Sequence, residues 1–208
     1  MYDRAMGTES QEVAAFILAG GKSTRMGTDK AFITLDGRTL LARALDSARS
    51  VATDVQIVGD PEKFAAFGPV VEDIFRGCGP LGGIHAALRA SRMNLNLILA
   101  VDVPFVSPQL LQYLVTRARN TPDALVTVPH SRGGWQPLCA VYRPQFADFA
   151  ENALRKGRYK IDVLFDESRA EVIEEGDFES AGFPTNMFRN LNTPEELAEA
   201  SQEPQVQK

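Results

Sequence analysis

The chain has 208 residues, 44% of them hydrophobic, a length and composition that fit one globular domain with a substantial core. A charged fraction of 24% and a net charge of -5 exclude a polyanion-binding surface of the usual basic kind, so no nucleic-acid partner is expected. The most apolar run, residues 95–106, is shorter than the roughly 18 to 20 residues that cross a bilayer and carries Asn96 and Asp102, so no membrane crossing is expected. The first dozen residues are polar and acidic, unlike a secretory signal, and a cytoplasmic location follows.

In chain order, residues 1–12 read as a flexible N-terminus and residues 13–18 as a buried strand running directly into glycines. Helical periodicity covers 39–52, followed by a strand at 55–58, a helix at 61–67 and a strand at 70–72. A helix at 83–91, a strand at 95–101 and a helix at 108–119 come next, the last opened by Ser107 as cap and Pro108 in the first turn. Strands at 124–128 and 138–142 follow. Thr193 before Pro194 repeats the helix-start signal for 194–200, with Glu195 and Glu196 complementing the helix dipole. Residues 201–208 lack an apolar face and read as a frayed tail. Strands alternating with helices predict a single α/β domain over 13–200, three layers deep, with a mostly parallel central sheet. Its ligand is expected outside the carboxyl ends of the strands, where the loops after the first and fourth strands meet.

Three segments carry chemistry. In LAGGKSTRMGTDK, residues 18–30, Gly20 and Gly21 allow a sharp turn and close approach to a ligand, with exposed amides available to an anion. Lys22, Arg25 and Lys30 then place cations along a polyphosphate. A Walker A loop is ruled out because Phe16 stands where its first glycine is required, and the GxGxxG spacing of dinucleotide-binding loops is missing. In VDVPF, Asp102 ends the fourth strand as a hard oxygen donor suited to magnesium, or as a simple cap before Pro104. In RGCGPLGGIHAAL, residues 76–88, a glycine-rich loop opens a helix whose free amides could meet a ligand, although a plain strand-to-helix connection has the same composition.

Asp73, just before that loop, is either a solvated acid or a hydrogen-bond acceptor for a base edge. His85 reads as a packed or surface helix residue and not a catalyst, and Cys78 as a packing thiol; with Cys139 it completes a pair too far apart for a zinc cluster. The polar loop from His130 through Trp135 suits a second substrate or an ordinary surface.

Taken in order, LAGGKSTRMGTDK, the GPLGG at 79–83, DVPF at 102–105, QPL at 136–138 and NLNTPEEL at 190–197 resemble the molybdenum cofactor guanylyltransferase family across about residues 13–200. The resemblance implies a Rossmann-like nucleotidyltransferase fold, Mg2+ dependence, and transfer of GMP from GTP to molybdenum-molybdopterin with release of pyrophosphate. It also implies transient contact with molybdopterin-delivering proteins or recipient molybdoenzymes.

Carried over by position, Leu18, Ala19, Gly20 and Gly21 contact the guanine nucleotide, Lys30 its phosphates and Asp73 the nucleoside. Gly79, Pro80 and Leu81 complete the nucleotide site, Asp102 holds the metal, and Arg25, Lys30 and Asp102 form the catalytic set. Gln136, Asn190 and Asn192 face the pterin. The sequence departs from the family at the end of the second strand, where Val58, Gly59 and Asp60 stand in place of the usual asparagine; Asp60 or a backbone group is the expected substitute. Alternatives are a cytidylyltransferase of the same fold, for which Gly20 is the discriminating position, a sugar-phosphate nucleotidyltransferase, and a non-catalytic nucleotide carrier.

Overall fold

The computed structural model describes residues 13–20, 29–131, 134–191, 196–197 and 199. Its elements begin with β1 (Val13–Leu18), a 3-10 turn (Lys30–Phe32), β2 (Thr34–Leu35), β3 (Arg38–Thr39), α1 (Leu40–Arg49), β4 (Asp54–Val58), α2 (Pro61–Phe64) and β5 (Val70–Val71). They continue through α3 (Pro80–Ala90), β6 (Leu95–Ala100), α4 (Pro108–Asn120), β7 (Val126–Ser131), β8 (Gly134–Trp135) and β9 (Cys139–Tyr142). The final group is α5 (Phe146–Arg155), α6 (Val163–Glu167), β10 (Ala170–Glu174) and α7 (Glu175–Ser180). Among the described residues no helix is long and apolar enough to cross a membrane.

The main sheet runs β10-β7-β9-β6-β1-β4-β5, with β8 paired to β7. β9 is antiparallel to both of its neighbours and β8 antiparallel to β7; the other pairings are parallel. The expected mostly parallel sheet is therefore present, with one reversed strand near its middle.

Every residue of β1 is buried, as a central strand covered on both faces requires. Val13, Ala15 and Ile17 pack with Leu41 and Leu45 of α1 and Leu110 and Leu114 of α4. Ala14, Phe16 and Leu18 point the other way, against Leu81 and Ile84 of α3 and Phe146 of α5. This period-two alternation makes three layers out of one strand and the helices on either side.

Helix boundaries follow their caps. Thr39 Oγ1 accepts from Ala42 N at 3.2 Å and opens α1; Ser107 Oγ accepts from Leu110 N at 3.2 Å and opens α4, as the sequence predicts. α3 starts at Pro80, ahead of the expected start at residue 83, because Gly79 turns the chain at φ +68° and proline suits the first helical turn. The expected helix at 194–200 opens outside the described residues, although 196, 197 and 199 are helical.

The chain leaves β1 for β4 on one side and returns to β6 on the other. The carboxyl ends of β1 and β6 are therefore adjacent at a reversal of strand order, where α/β sheets form their ligand crevice.

Candidate active site

At that reversal, Val101 N donates to Leu18 O at 3.3 Å, tying the two strand ends together. Asp102 follows at once, a quarter exposed, and its Oδ2 accepts from Lys30 Nζ at 3.0 Å. The two residues stand 72 positions apart in sequence. Lys30 begins the 3-10 turn that Asp29 caps, its Oδ1 accepting from Ala31 N at 3.2 Å. The arrangement holds one ammonium and one carboxylate, both partly open, at the carboxyl edge of the sheet.

Two further predicted segments converge on Asp102. Leu191 N donates to Asp102 O at 3.0 Å, so the start of NLNTPEEL is hydrogen-bonded to the second residue after β6. Leu191 itself is buried against Leu35 and Leu40, which anchors that peptide, while Asn190 beside it is exposed. From the other side, Ala100 N donates to Leu138 O at 2.8 Å and fixes the QPL segment along β6. Gln136 is half-buried and its Nε2 lies 3.5 Å from the carbonyls of Ser131 and Gly134. Tyr142 supports this loop from below: its fully buried hydroxyl donates to Pro137 O at 2.8 Å, and burial pushes its pKa up.

Of the residues expected to contact the nucleotide, Leu18, Ala19 and Leu81 are buried, and Gly20, Gly79 and Pro80 are exposed. One expectation is corrected here: the amides of Ala19 and Gly20 both donate to Val58 O, at 3.1 and 3.2 Å, and are not open to an anion. Two successive donors on one carbonyl close the turn onto β4. Gly21, Lys22, Arg25 and Asn192 lie outside the described residues.

Glycine has a steric cause at Gly82, where an added Cβ would stand 2.9 Å from Phe75 O, and helix α3 lies that close to the preceding loop. At Gly20 a Cβ would make only ordinary contacts of 3.8 Å with Gly59 Cα and Val58 O, so the fold does not demand glycine there.

Asp73 lies two residues beyond β5. Its Oδ1 is buried with no protein hydrogen-bond partner, and burial raises its pKa against the opposing pull of Arg76. β5 lies three strand steps from β6, roughly 14 Å at the usual strand spacing.

Asp60 Oδ1 accepts from Glu62 N at 3.0 Å and caps α2. Any side chain at Gly59 would meet the Phe64 ring at 2.8 Å.

His85 is 2% exposed on α3, edge-on to Phe75 and beside Arg89 and Glu151, a packed residue as the sequence suggests. Burial lowers its pKa. Hydrogen bonds from Arg89, Arg155 and His85 hold the Glu151 carboxyl down at about 2. His130 pairs with Glu174 at 3.1 Å and packs on Trp135, whose ring meets Phe165. The Asp29 to Lys63 pair, 3.1 Å apart, was not legible in the sequence.

Among the described residues no group of three or more His, Cys, Asp or Glu side chains could enclose a metal ion. Asp102 alone still fits magnesium, which is commonly held by one or two carboxylates with phosphate oxygens and water completing its shell.

Residues 15–170 match the family model described as MobA-like NTP transferase domain. A molybdenum cofactor guanylyltransferase from Desulfosudis oleivorans is 35% identical over 191 residues, covering 90% of this chain and 94% of that protein. The crystal structure of molybdopterin-guanine dinucleotide biosynthesis protein A from Archaeoglobus fulgidus superposes with a TM-score of 0.78 at 27% identity, covering 91% of this chain and 97% of that one. A 4-diphosphocytidyl-2C-methyl-D-erythritol synthase from Anaerococcus prevotii shares the fold at a TM-score of 0.69 and 15% identity, covering 92% and 95%.

Proposed function

The chain belongs to the MobA-like NTP transferase family, and from that premise we propose that it transfers GMP from GTP to the phosphate of molybdenum-molybdopterin, releasing pyrophosphate. The enzyme is a nucleotidyltransferase. The observation that carries the reading is the meeting of Lys30, Asp102 and the segments around Leu138 and Leu191 at the carboxyl ends of β1 and β6.

The chemistry asks little of a general base. The attacking group is a phosphate that is already anionic, so the obstacle is the approach of two negative charges. Lys30, with Arg25 from the preceding loop, lowers that repulsion and holds the triphosphate; Asp73 accepts a hydrogen bond from the nucleoside, which satisfies its buried Oδ1. Gln136, Asn190 and Asn192 are the residues assigned to the pterin in this reading. Asp102 is the residue that would hold Mg2+, which supplies charge neutralisation on the polyphosphate when bound. Catalysis then consists of positioning and electrostatics, and neither His85, packed in the α3–α5 interface, nor His130 is needed.

Choice of GTP over CTP rests on Gly20. Since the fold tolerates a Cβ there, the glycine is explained by room for a purine on the exposed side of the turn. The test is calorimetric binding of GTP and CTP to the wild-type chain and to Gly20→Ala. Tighter GTP binding that weakens in the variant supports the reading; tighter CTP binding by the wild type overturns it in favour of a cytidylyltransferase.

A further inference from the structure

Lys30 reaches Asp102 from a single helical turn, and that turn is gripped from outside the sheet by α2. Lys63 Nζ lies 3.1 Å from Asp29 Oδ2 while the other Asp29 oxygen caps the turn, so both oxygens of the residue before Lys30 are engaged. Phe32, closing the turn, stacks on Phe64 with ring centres 5.8 Å apart and packs on Phe67 at 5.7 Å. Phe64 is buried because Gly59 leaves room for its ring. Gly59, Phe64 and Phe32 thus form one packed column from the end of β4 to the lysine turn, and Lys63 adds the electrostatic tie.

We infer that Lys63 is a positioning residue for triphosphate binding, acting by neutralising and fixing Asp29 immediately before Lys30. This rests on the guanylyl-transfer reading above. An uncompensated carboxylate one residue from Lys30 would repel the polyphosphate that Lys30 is placed to hold, at a separation short enough to escape full screening by salt. Lys63 is half exposed, and a surface pair of this kind contributes little to folding. Its effect is therefore expected in ligand affinity and not in stability. The packed column also explains why the chain keeps glycine at residue 59, where a Cβ would meet the Phe64 ring.

The experiment is calorimetric titration of GTP with magnesium into the full-length wild type, Lys63→Ala, Lys63→Arg, Asp29→Asn and the Asp29→Asn, Lys63→Ala double variant, with steady-state kinetics on each. Lys63→Ala is expected to weaken GTP binding and raise its KM by about threefold to fivefold with kcat held within about twofold, the size of an exposed ion-pair effect. Lys63→Arg should restore affinity. In the Asp29→Asn background, where an amide still caps the turn without charge, loss of Lys63 should have no further effect. Unchanged affinity in Lys63→Ala overturns the inference, as does an undiminished loss in the Asp29→Asn background, which would mean that Lys63 touches the ligand itself. Failure of the wild type to bind any nucleoside triphosphate overturns the underlying reading and this one together, and differs from the former outcomes because no variant is needed to see it.

Discussion

Gly82→Ala is the substitution whose outcome the structure determines most sharply. On helix propensity alone the change is favourable by about 0.5 to 1 kcal/mol, since alanine restricts the unfolded chain and suits a helix. Gly82 lies in the first turn of α3, however, and its Cβ would stand 2.9 Å from Phe75 O, a backbone atom that cannot rotate away. Forcing that carbonyl aside costs about 1 to 3 kcal/mol by analogy with overpacked cores, leaving a net loss of about 1 kcal/mol. For a chain of this length that corresponds to a thermal midpoint lower by about 2 to 4 °C. Gly176, in α7, provides the control: nothing lies within 4 Å of its added Cβ, and Gly176→Ala should hold or raise the midpoint. Differential scanning calorimetry on both variants is the assay. A Gly82→Ala protein that melts at or above the wild type would refute the close approach of α3 to the loop carrying Asp73.

Tyr142→Phe removes a buried donor and leaves Pro137 O unpaired, so a loss of about 1 to 2 kcal/mol in chemical denaturation is expected, with a raised KM for molybdopterin because the Gln136 loop loses its support. The Glu151 carboxyl is held down at about 2 in the fold against an ordinary 4.5, so its stabilising effect is present above pH 4.5 and is lost as pH falls toward 2. His85, buried and lowered below its ordinary 6.5, adds a loss that begins as pH falls through 6.5, because the unfolded chain takes up that proton first. Urea midpoints measured against pH should show both phases, with the lower one flattened in Glu151→Gln. Burial pushes the Cys139 thiol up to about 12, so a thiol reagent should modify Cys78 in the native protein and Cys139 only after unfolding.

The architecture was legible because the strands that build the sheet's centre are buried on both faces and read as short apolar runs between helical periods. Elements governed by other signals went unread. The hairpin of β2 and β3 turns on Asp36 and Gly37, both at positive φ, and the Asp-Gly pair is its signature. Helix α5 buries Phe146, Ala147, Ala150, Ala153 and Leu154, a helical stripe visible in the sequence once Pro144 is taken as its start signal. β10 could not be recognised from its own residues, since the glutamates of Ala170–Glu174 stand three apart, at Glu171 and Glu174, and break the alternation of a strand; it owes its place to pairing with β7.

At the site, the residue types and their order identified Lys30 and Asp102 separately. Their contact across 72 positions is a product of topology. Likewise, the amides of Ala19 and Gly20 looked available in the sequence but are engaged by Val58 O, a partner that only the parallel pairing of β1 and β4 brings near. The capping of α2 by Asp60 went unread, although Pro61 behind it would have signalled it.

The central claim is guanylyl transfer at the edge where Lys30 meets Asp102. Its most direct test is pyrophosphate release by the purified chain, supplied with magnesium, molybdopterin and each of the four nucleoside triphosphates in turn, beside Asp102→Ala. Release with GTP above the other three is expected, and its loss in the variant while the fold persists. Release with CTP in preference to GTP, or undiminished turnover by Asp102→Ala, would contradict it.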